Sequence, residues 1–261
     1  MLCLIENKNM IKIVLGNLGS GKTAYMVREM ALNLNNRRTY SNIITNLKNQ
    51  VNISPEMIIK KEVVGYKVNK STNEKEEIYK YKLNKEYWTE VLKKEKAINI
   101  CLDESANLID SRRSQTNVNI IFTQWLFMLR RIIGQTQSGY GELTFITQLL
   151  STIDNRARDL ATNIVYTIGH FQKTCEMCGA SWQENSEMPE GYIVCPMCKS
   201  NKIFKHSHRT EVWAFPNINL FQMWHQFGQK TFYKHFIINN IEDYMSSYNH
   251  LQWEFLFEGY Y

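Results

Sequence analysis

No stretch of the 261-residue chain approaches the roughly 18 uninterrupted apolar residues that a membrane-crossing helix needs. The opening MLCLIENKNM is too short and too polar for a secretory leader. A cytoplasmic protein without a membrane span is therefore expected. No segment repeats another, so a repeat array is excluded. Cysteines are not scattered as in a disulfide framework. Cys3 and Cys101 stand alone in apolar surroundings, and the other four of the six come in pairs. In a reducing compartment such pairs signal metal before disulfide. Charge of neither sign dominates: 31 basic against 25 acidic residues leave +6, which suits a polyanionic partner without demanding one. With 44% apolar and 21% charged residues, the chain can bury one large core, or one core and a small module. Its abundant asparagine argues against a hyperthermophilic source.

What is present alternates strands with helices. Residues 11–15, IKIVL, read as an apolar strand, and a helical pattern starts at Lys22 and stops near NNRR. YSNI and VNI read as short strands. Residues 60–85 alternate around the turn NKSTNEKE as a lysine-rich hairpin that protrudes from something larger. AINICL is a buried strand, 117–133 one helix rich in Phe, Trp, Leu and Ile, and ELTFI and NIVYTI complete the strands. Such alternation predicts an α/β fold with a parallel sheet. The expected division is a core over 1–170, a cysteine-bearing insertion over 171–210, and an aromatic-rich segment over 211–261 that packs on the core.

GNLGSGKT, from Gly16 to Thr23, matches the G-x-x-x-x-G-K-[ST] phosphate loop, after a strand and before a helix. Gly16, Asn17, Leu18, Gly19, Ser20 and Gly21 would curl their backbone N–H groups around phosphates, helped by the helix amino end. Lys22 would reach the β and γ phosphates of ATP, and the Thr23 hydroxyl would bind magnesium. INICLDE places Asp103 and Glu104 at the carboxyl end of a buried strand, the edge where ligands sit in open α/β sheets. Asp103 would complete the magnesium shell, and Glu104 would polarise the attacking water. Gln148, at the end of ELTFITQ, would lie near the γ-phosphate and hydrogen-bond that water. Arg130, Arg131, Arg156 and Arg158 are candidates for completing a neighbouring copy's site, an arginine supplied in trans offsetting transition-state charge. Solvated helix ends, or pairs with Asp154 and Asp159, are the competing reading of those arginines.

The order of these pieces resembles a family. A phosphate loop, YSNI after the first helix, LDESANLIDSRR, a long helix carrying LRR, TFITQ and then IDNRARDL are similar to the zonular occludens toxin-like (Zot-like) ATPases of the FtsK–HerA superfamily. The resemblance covers about residues 10–170. The acidic strand followed by a separate strand ending in Thr-Gln is more discriminating than the loop alone. It implies a P-loop NTPase of RecA-like, FtsK–HerA type, with a parallel-core sheet and helices on both faces. It implies a ring, hexameric in many members, that translocates single- or double-stranded DNA, with double-stranded DNA and a capsid or portal component as the expected partners here. Carried over by position, Lys22 and Thr23 bind phosphate and magnesium, Asp103 and Glu104 are the acidic pair, and Gln148 is the sensor. The arginine finger, for which Arg131 and Arg158 stand as choices, does not carry over by position. The resemblance also departs from membrane-bound members, because no transmembrane helix follows the ATPase segment. That favours a soluble packaging motor of a virus or mobile element, working in the host cytoplasm, over extrusion through a membrane.

CEMC (Cys175, Cys178) and CPMC (Cys195, Cys198) are two C-x-x-C knuckles that offer four thiolates in a closed, structural zinc site. With four cysteines in place, His170, His206 and His208 are not expected as ligands. The module reads as a zinc ribbon inserted at the tip of a long hairpin. It serves either as a staple, with bound metal adding folding energy, or as a contact for nucleic acid through Lys199, Lys202, Lys205 and Arg209. The closing WEFLFEGYY reads as a docking peptide. The hairpin at 60–85 could line a DNA channel, but its glutamates nearly balance its lysines at the turn and read as a solvated flap. The expected function is thus an ATP-hydrolysing DNA translocase. The alternative is a nucleotide-dependent switch or assembly factor that hydrolyses ATP slowly and moves nothing. A small-molecule kinase lacks an arginine-rich lid, and a zinc hydrolase lacks an open ligand position.

Overall fold

A computed structural model describes residues 11–34, 36–68, 75–103, 117–137, 139–153, 155–188 and 194–248. Thirteen strands appear among them: β1 (Ile11–Leu15), β2 (Thr39–Ser41), β3 (Gln50–Asn52), β4 (Ile59–Val68), β5 (Lys75–Leu83), β6 (Asn99–Leu102), β7 (Gln135–Thr136), β8 (Gly139–Tyr140), β9 (Glu142–Ile146), β10 (Asn163–Cys175), β11 (Ser181–Asn185), β12 (Ile203–Phe215) and β13 (Lys234–Ile238). The helices are α1 (Lys22–Leu32), α2 (Pro55–Ile58), α3 (Lys85–Glu95), α4 (Asn117–Phe127), α5 (Leu129–Ile133), α6 (Asn155–Asp159), α7 (Ile218–Phe227) and α8 (Glu242–Met245).

The central sheet runs β13-β12-β10-β1-β9-β6-β2-β3, with β11 paired to β10. From β10 to β3 every neighbouring pair is parallel, whereas β11, β12 and β13 are added antiparallel. β1 is buried along its whole length because it is central and covered on both faces. Its alternate residues divide between two cores. Ile11, Ile13 and Leu15 join Trp88, Trp125, Ile132 and Phe221 on the face of α3, α4, α5 and α7, while Val14 joins Ala24, Val27 and Ile241 on the face of α1 and α8. The fold is therefore α/β, with a mostly parallel core and helices on both faces. Register is tight, with Ile13 opposite Ile164 on one side and Phe145 on the other.

Three elements depart from expectation. The single helix expected over 117–133 is two helices, broken at Met128, whose φ −95 and ψ 9 leave the helical region. α3 was not anticipated. Its charged sequence buries only Trp88, and the Asn84 side chain caps it by accepting from the Tyr87 N–H at 3.2 Å. The long hairpin expected from NIVYTIGHFQK to HRTEVWAF is present as β10 and β12 and runs further, to Cys175 and Ile203, because the two strands pair almost throughout. β4 and β5 form a two-stranded ribbon separate from the main sheet, as the protruding hairpin required. Among the described residues no helix is long and apolar enough to cross a membrane.

Candidate functional site

β1 ends at Leu15 and α1 begins at Lys22, so GNLGSG spans the gap between a central strand and a helix amino end. Gly16 and Gly21 have φ of 151 and 86, values that L side chains rarely adopt. Space forbids a side chain there as well. A Cβ on Gly16 would strike Ser20 Oγ and the Thr167 carbonyl, and one on Gly21 would strike Thr210 Oγ1. The loop lies on a floor made by β10 and β12. Thr167 and Ser20 share a hydrogen bond between hydroxyls at 2.9 Å, Thr167 Oγ1 donates to the Leu15 carbonyl at 3.2 Å, and Thr210 Oγ1 donates to the Ser20 carbonyl at 3.4 Å. Ser20, Thr167 and Thr210 are all 0% exposed, so the floor is dry and fixed. No side chain caps α1, which leaves its amino end for an anion. Lys22 lies back across the loop, Nζ donating to the carbonyls of Gly16 at 2.8 Å and Asn17 at 2.9 Å. Glycine-only backbone, an uncapped helix end and a lysine over the mouth fit a polyphosphate.

The strand order brings the acidic site alongside. β9 lies between β1 and β6, and Thr23 Oγ1 donates to Asp103 Oδ2 at 2.8 Å. A hydroxyl and a carboxylate joined this way are the oxygen donors that a hard cation such as magnesium takes. Asn42, directly after β2, grips the Asp103 peptide from both sides. The Asp103 N–H donates to Asn42 Oδ1 at 2.7 Å, and Asn42 Nδ2 donates to the Asp103 carbonyl at 3.1 Å. Tyr248 is bridged to Thr45, and burial followed by the Asp103 charge pushes its hydroxyl up to about 12. Glu104 lies outside the described residues. Gln148 is exposed directly after Thr147, whose N–H bonds the Val14 carbonyl at 3.0 Å. It thus stands at the carboxyl edge between the phosphate loop and the acidic strand.

The arginines lie elsewhere. Arg158 precedes β10 by a few residues, near Thr162, whose N–H bonds the Ile11 carbonyl at 2.9 Å. Arg131 is exposed two residues before Ile133, which accepts from the Ile98 N–H at 2.8 Å. Both therefore sit towards the amino edge of the sheet, away from this chain's own loop. Arg158 Nε is buried without a hydrogen-bond partner among the described residues. Nothing is described of the Arg130 and Arg156 side chains.

The four paired cysteines converge, their sulfurs all within 4.8 Å of one another. Cys175 Sγ lies 3.5 Å from Cys198 Sγ, and Cys178 Sγ 3.6 Å from Cys195 Sγ. Those separations are far longer than a disulfide, about 2.05 Å. They match the edge of a sulfur tetrahedron around zinc, about 3.8 Å for bonds of about 2.3 Å. The two knuckles are built alike. Gly179 N–H bonds the Cys175 carbonyl and Lys199 N–H the Cys195 carbonyl, each at 2.9 Å. Gly179 and Lys199 share a left-handed φ of 70 and 60. The Cys198 amide, donating to sulfur, lowers the Cys195 thiol from its ordinary value, while Cys178, despite the Ala180 amide on its sulfur, is raised by hydrogen bonds to the other thiols. Cys101, by contrast, is raised by burial and belongs to the core.

The cysteine-bearing arm reaches the phosphate loop. Asn17 Nδ2 donates to the Ser186 carbonyl at 3.1 Å and to Glu187 Oε1 at 3.3 Å, and Tyr166 holds the same carboxylate at 2.9 Å. Sequence reasoning missed Asn42, Thr167, Thr210 and Glu187. Asn42 alone left a trace, an asparagine directly after a short strand in YSNI. A family model for zonular occludens toxin matches residues 10–179, which includes the loop, the acidic strand and the first knuckle. The chain belongs to the Zot family. Among solved structures, it is similar to the N-terminal domain of zonular occludens toxin from Neisseria meningitidis, with 15% identity, TM-score 0.48, and coverage of 93% of this chain and 100% of that one. It is also similar to B204, the DNA-packaging ATPase of Sulfolobus turreted icosahedral virus, with 16% identity, TM-score 0.35, and coverage of 62% and 76%. The B204 genome-packaging NTPase of Sulfolobus turreted icosahedral virus 2, in complex with ATP-gammaS, gives 13% identity, TM-score 0.37, and coverage of 61% and 74%. No curated protein matches the chain.

Proposed function

We propose that this Zot-family chain is an ATP-hydrolysing DNA translocase, a genome-packaging motor of a virus or mobile element that works as a ring of like copies, six by the family resemblance. The observation that carries the reading is the Thr23–Asp103 pair at 2.8 Å beside a glycine loop crossed by Lys22. Lys22 binds the β and γ phosphates, and Thr23 and Asp103 hold magnesium, which when bound neutralises charge on the leaving phosphates. Asn42 fixes the Asp103 peptide, which sets where the carboxylate starts from beside the threonine. Glu104, next in sequence, takes the proton of the attacking water, and Gln148 orients that water. The amino-edge position of Arg131 and Arg158 suits action on a neighbouring copy rather than on the chain's own loop. Zinc, held by Cys175, Cys178, Cys195 and Cys198, braces the arm. The chain divides in function into the core over 1–170, the arm over 171–210 and the closing segment over 211–261. Double-stranded DNA and a capsid or portal component are the partners, in the cytoplasm of a host.

Displacement of a third strand from a DNA triplex tests the reading. ATP-dependent displacement by wild type, lost in Glu104→Gln while ATP still binds, is the expected result. ATP turnover without displacement, and without rings in solution, would make the chain a nucleotide-dependent switch.

A further inference from the structure

On the side of the phosphate loop away from Asp103 lies a cavity of about 550 Å³, a volume within the range of small-molecule sites. We propose that this cavity, walled by the metal-binding arm, receives the purine base of the nucleotide. The proposal rests on the nucleotide-binding reading above. Three observations place it there.

The first is sheet order. β6, carrying Asp103 at its end, lies on one side of β1, and β10 and β12 lie on the other. Strands are spaced about 4.8 Å apart, so the acidic site and the cavity stand about two strands to either side of the loop. A nucleoside triphosphate whose terminal phosphates meet Thr23 and Asp103 has its base over β10 and β12. The second is continuity with the loop. Phe171, which lines the cavity, comes within 3.6 Å of where Gly19 would carry a Cβ. Arg209, also lining it, directly precedes the floor residue Thr210. The cavity's far wall, Asn239 and Asn240, leads into α8, which packs against α1. The cavity is therefore on the face from which α1 presents its amino end.

The third is chemistry. Glu242 lines the cavity, as does the buried Glu184, which pairs with Lys173 at 2.7 Å. Carboxylates repel phosphate, yet they accept hydrogen bonds from the amino and ring N–H groups of a base. The Asn239 and Asn240 amides supply both donors and acceptors for the base edge. The Phe171 ring, held by Lys205 Nζ 3.5 Å from its centroid, supplies an apolar surface on which two fused rings gain more than one.

Calorimetric titration with ATP, CTP and inorganic tripolyphosphate separates base from phosphate binding. Wild type, Glu242→Ala, Asn240→Ala and Lys22→Ala are compared, each checked for an unchanged melting curve. We expect each cavity variant to lose about tenfold in ATP affinity, the loss of one good hydrogen bond, with tripolyphosphate affinity unchanged. Wild type is expected to prefer ATP over CTP, and the cavity variants to narrow that preference. Unaltered ATP affinity in both cavity variants would overturn the proposal, as would equal losses for ATP and tripolyphosphate. If Lys22→Ala binds tripolyphosphate as well as wild type does, the nucleotide reading itself fails, and the base site with it.

Discussion

Asn42 shows how a residue outside any motif can set the chemistry of one inside it. Its amide makes two hydrogen bonds to the Asp103 peptide, and each such bond contributes about 1 kcal/mol. Asn42→Ala is therefore expected to slow ATP turnover about tenfold or more while leaving the fold intact, as steady-state hydrolysis and a melting curve would show. Gly21→Ala is expected to abolish nucleotide binding, since the added carbon would meet Thr210 and the φ of 86 would be strained. A third residue-scale case concerns stability. Lys12 is buried in the sheet and paired to Glu142 at 2.6 Å. Burial opposes its charge, but the Glu142 carboxylate outweighs burial, so its pKa is raised. The stability linked to Lys12 protonation is thus fully present below the ordinary lysine value, about pH 10, and fades only above it. Glu142→Gln, which leaves the ammonium buried and unpaired, is expected to cost about 3–5 kcal/mol in urea unfolding. Gly16 to Thr23 and Asp103 were legible in the sequence because they are contiguous or directly follow an apolar strand. Asn42, Thr167 and Thr210 were not. Their partners lie 61, 147 and 190 residues away, and only the sheet order brings them together.

At the scale of elements, the arm joins the cysteine cluster to the phosphate loop. β10 and β12 run, with one bulge between His170 and Gln172, from Thr167 and Thr210, under the loop, to Cys175 and Ile203 beside the knuckles. Chelating the metal under reducing conditions should therefore lower the melting temperature and weaken nucleotide binding together. Weaker melting with unchanged nucleotide affinity would show that the arm is only a staple. Within the knuckles, Gly179→Ala is expected to cost about 1 kcal/mol, since the new carbon meets nothing but φ is 70. The knuckle pairs were readable because C-x-x-C spacing alone brings two sulfurs together. The long hairpin was readable from NIVYTIGHFQK to HRTEVWAF, but its outer ends at Cys175 and Ile203 were not, since IFKH carries no strand-like alternation of apolar residues. α3 escaped for a related reason: one buried tryptophan among lysines and glutamates gives little helical periodicity. The break at Met128 was hidden inside an apolar run that reads the same through both helices.

At the scale of the whole molecule, the alternation of strands and helices predicted a parallel α/β sheet, and the sheet is parallel from β10 to β3. What alternation could not give was the order, with β9 between the loop strand and the acidic strand and three antiparallel strands beyond β10. That order sets the function proposed here. It gathers Lys22, Thr23, Asp103 and Gln148 at one edge and leaves Arg131 and Arg158 at the other, where a neighbouring copy could use them. The most direct test is ATP hydrolysis by the purified chain with and without double-stranded DNA, beside Lys22→Ala. A translocase is expected to hydrolyse several-fold faster with DNA, with all turnover lost in the Lys22→Ala control. A slow rate unchanged by DNA would contradict the motor and leave a nucleotide switch.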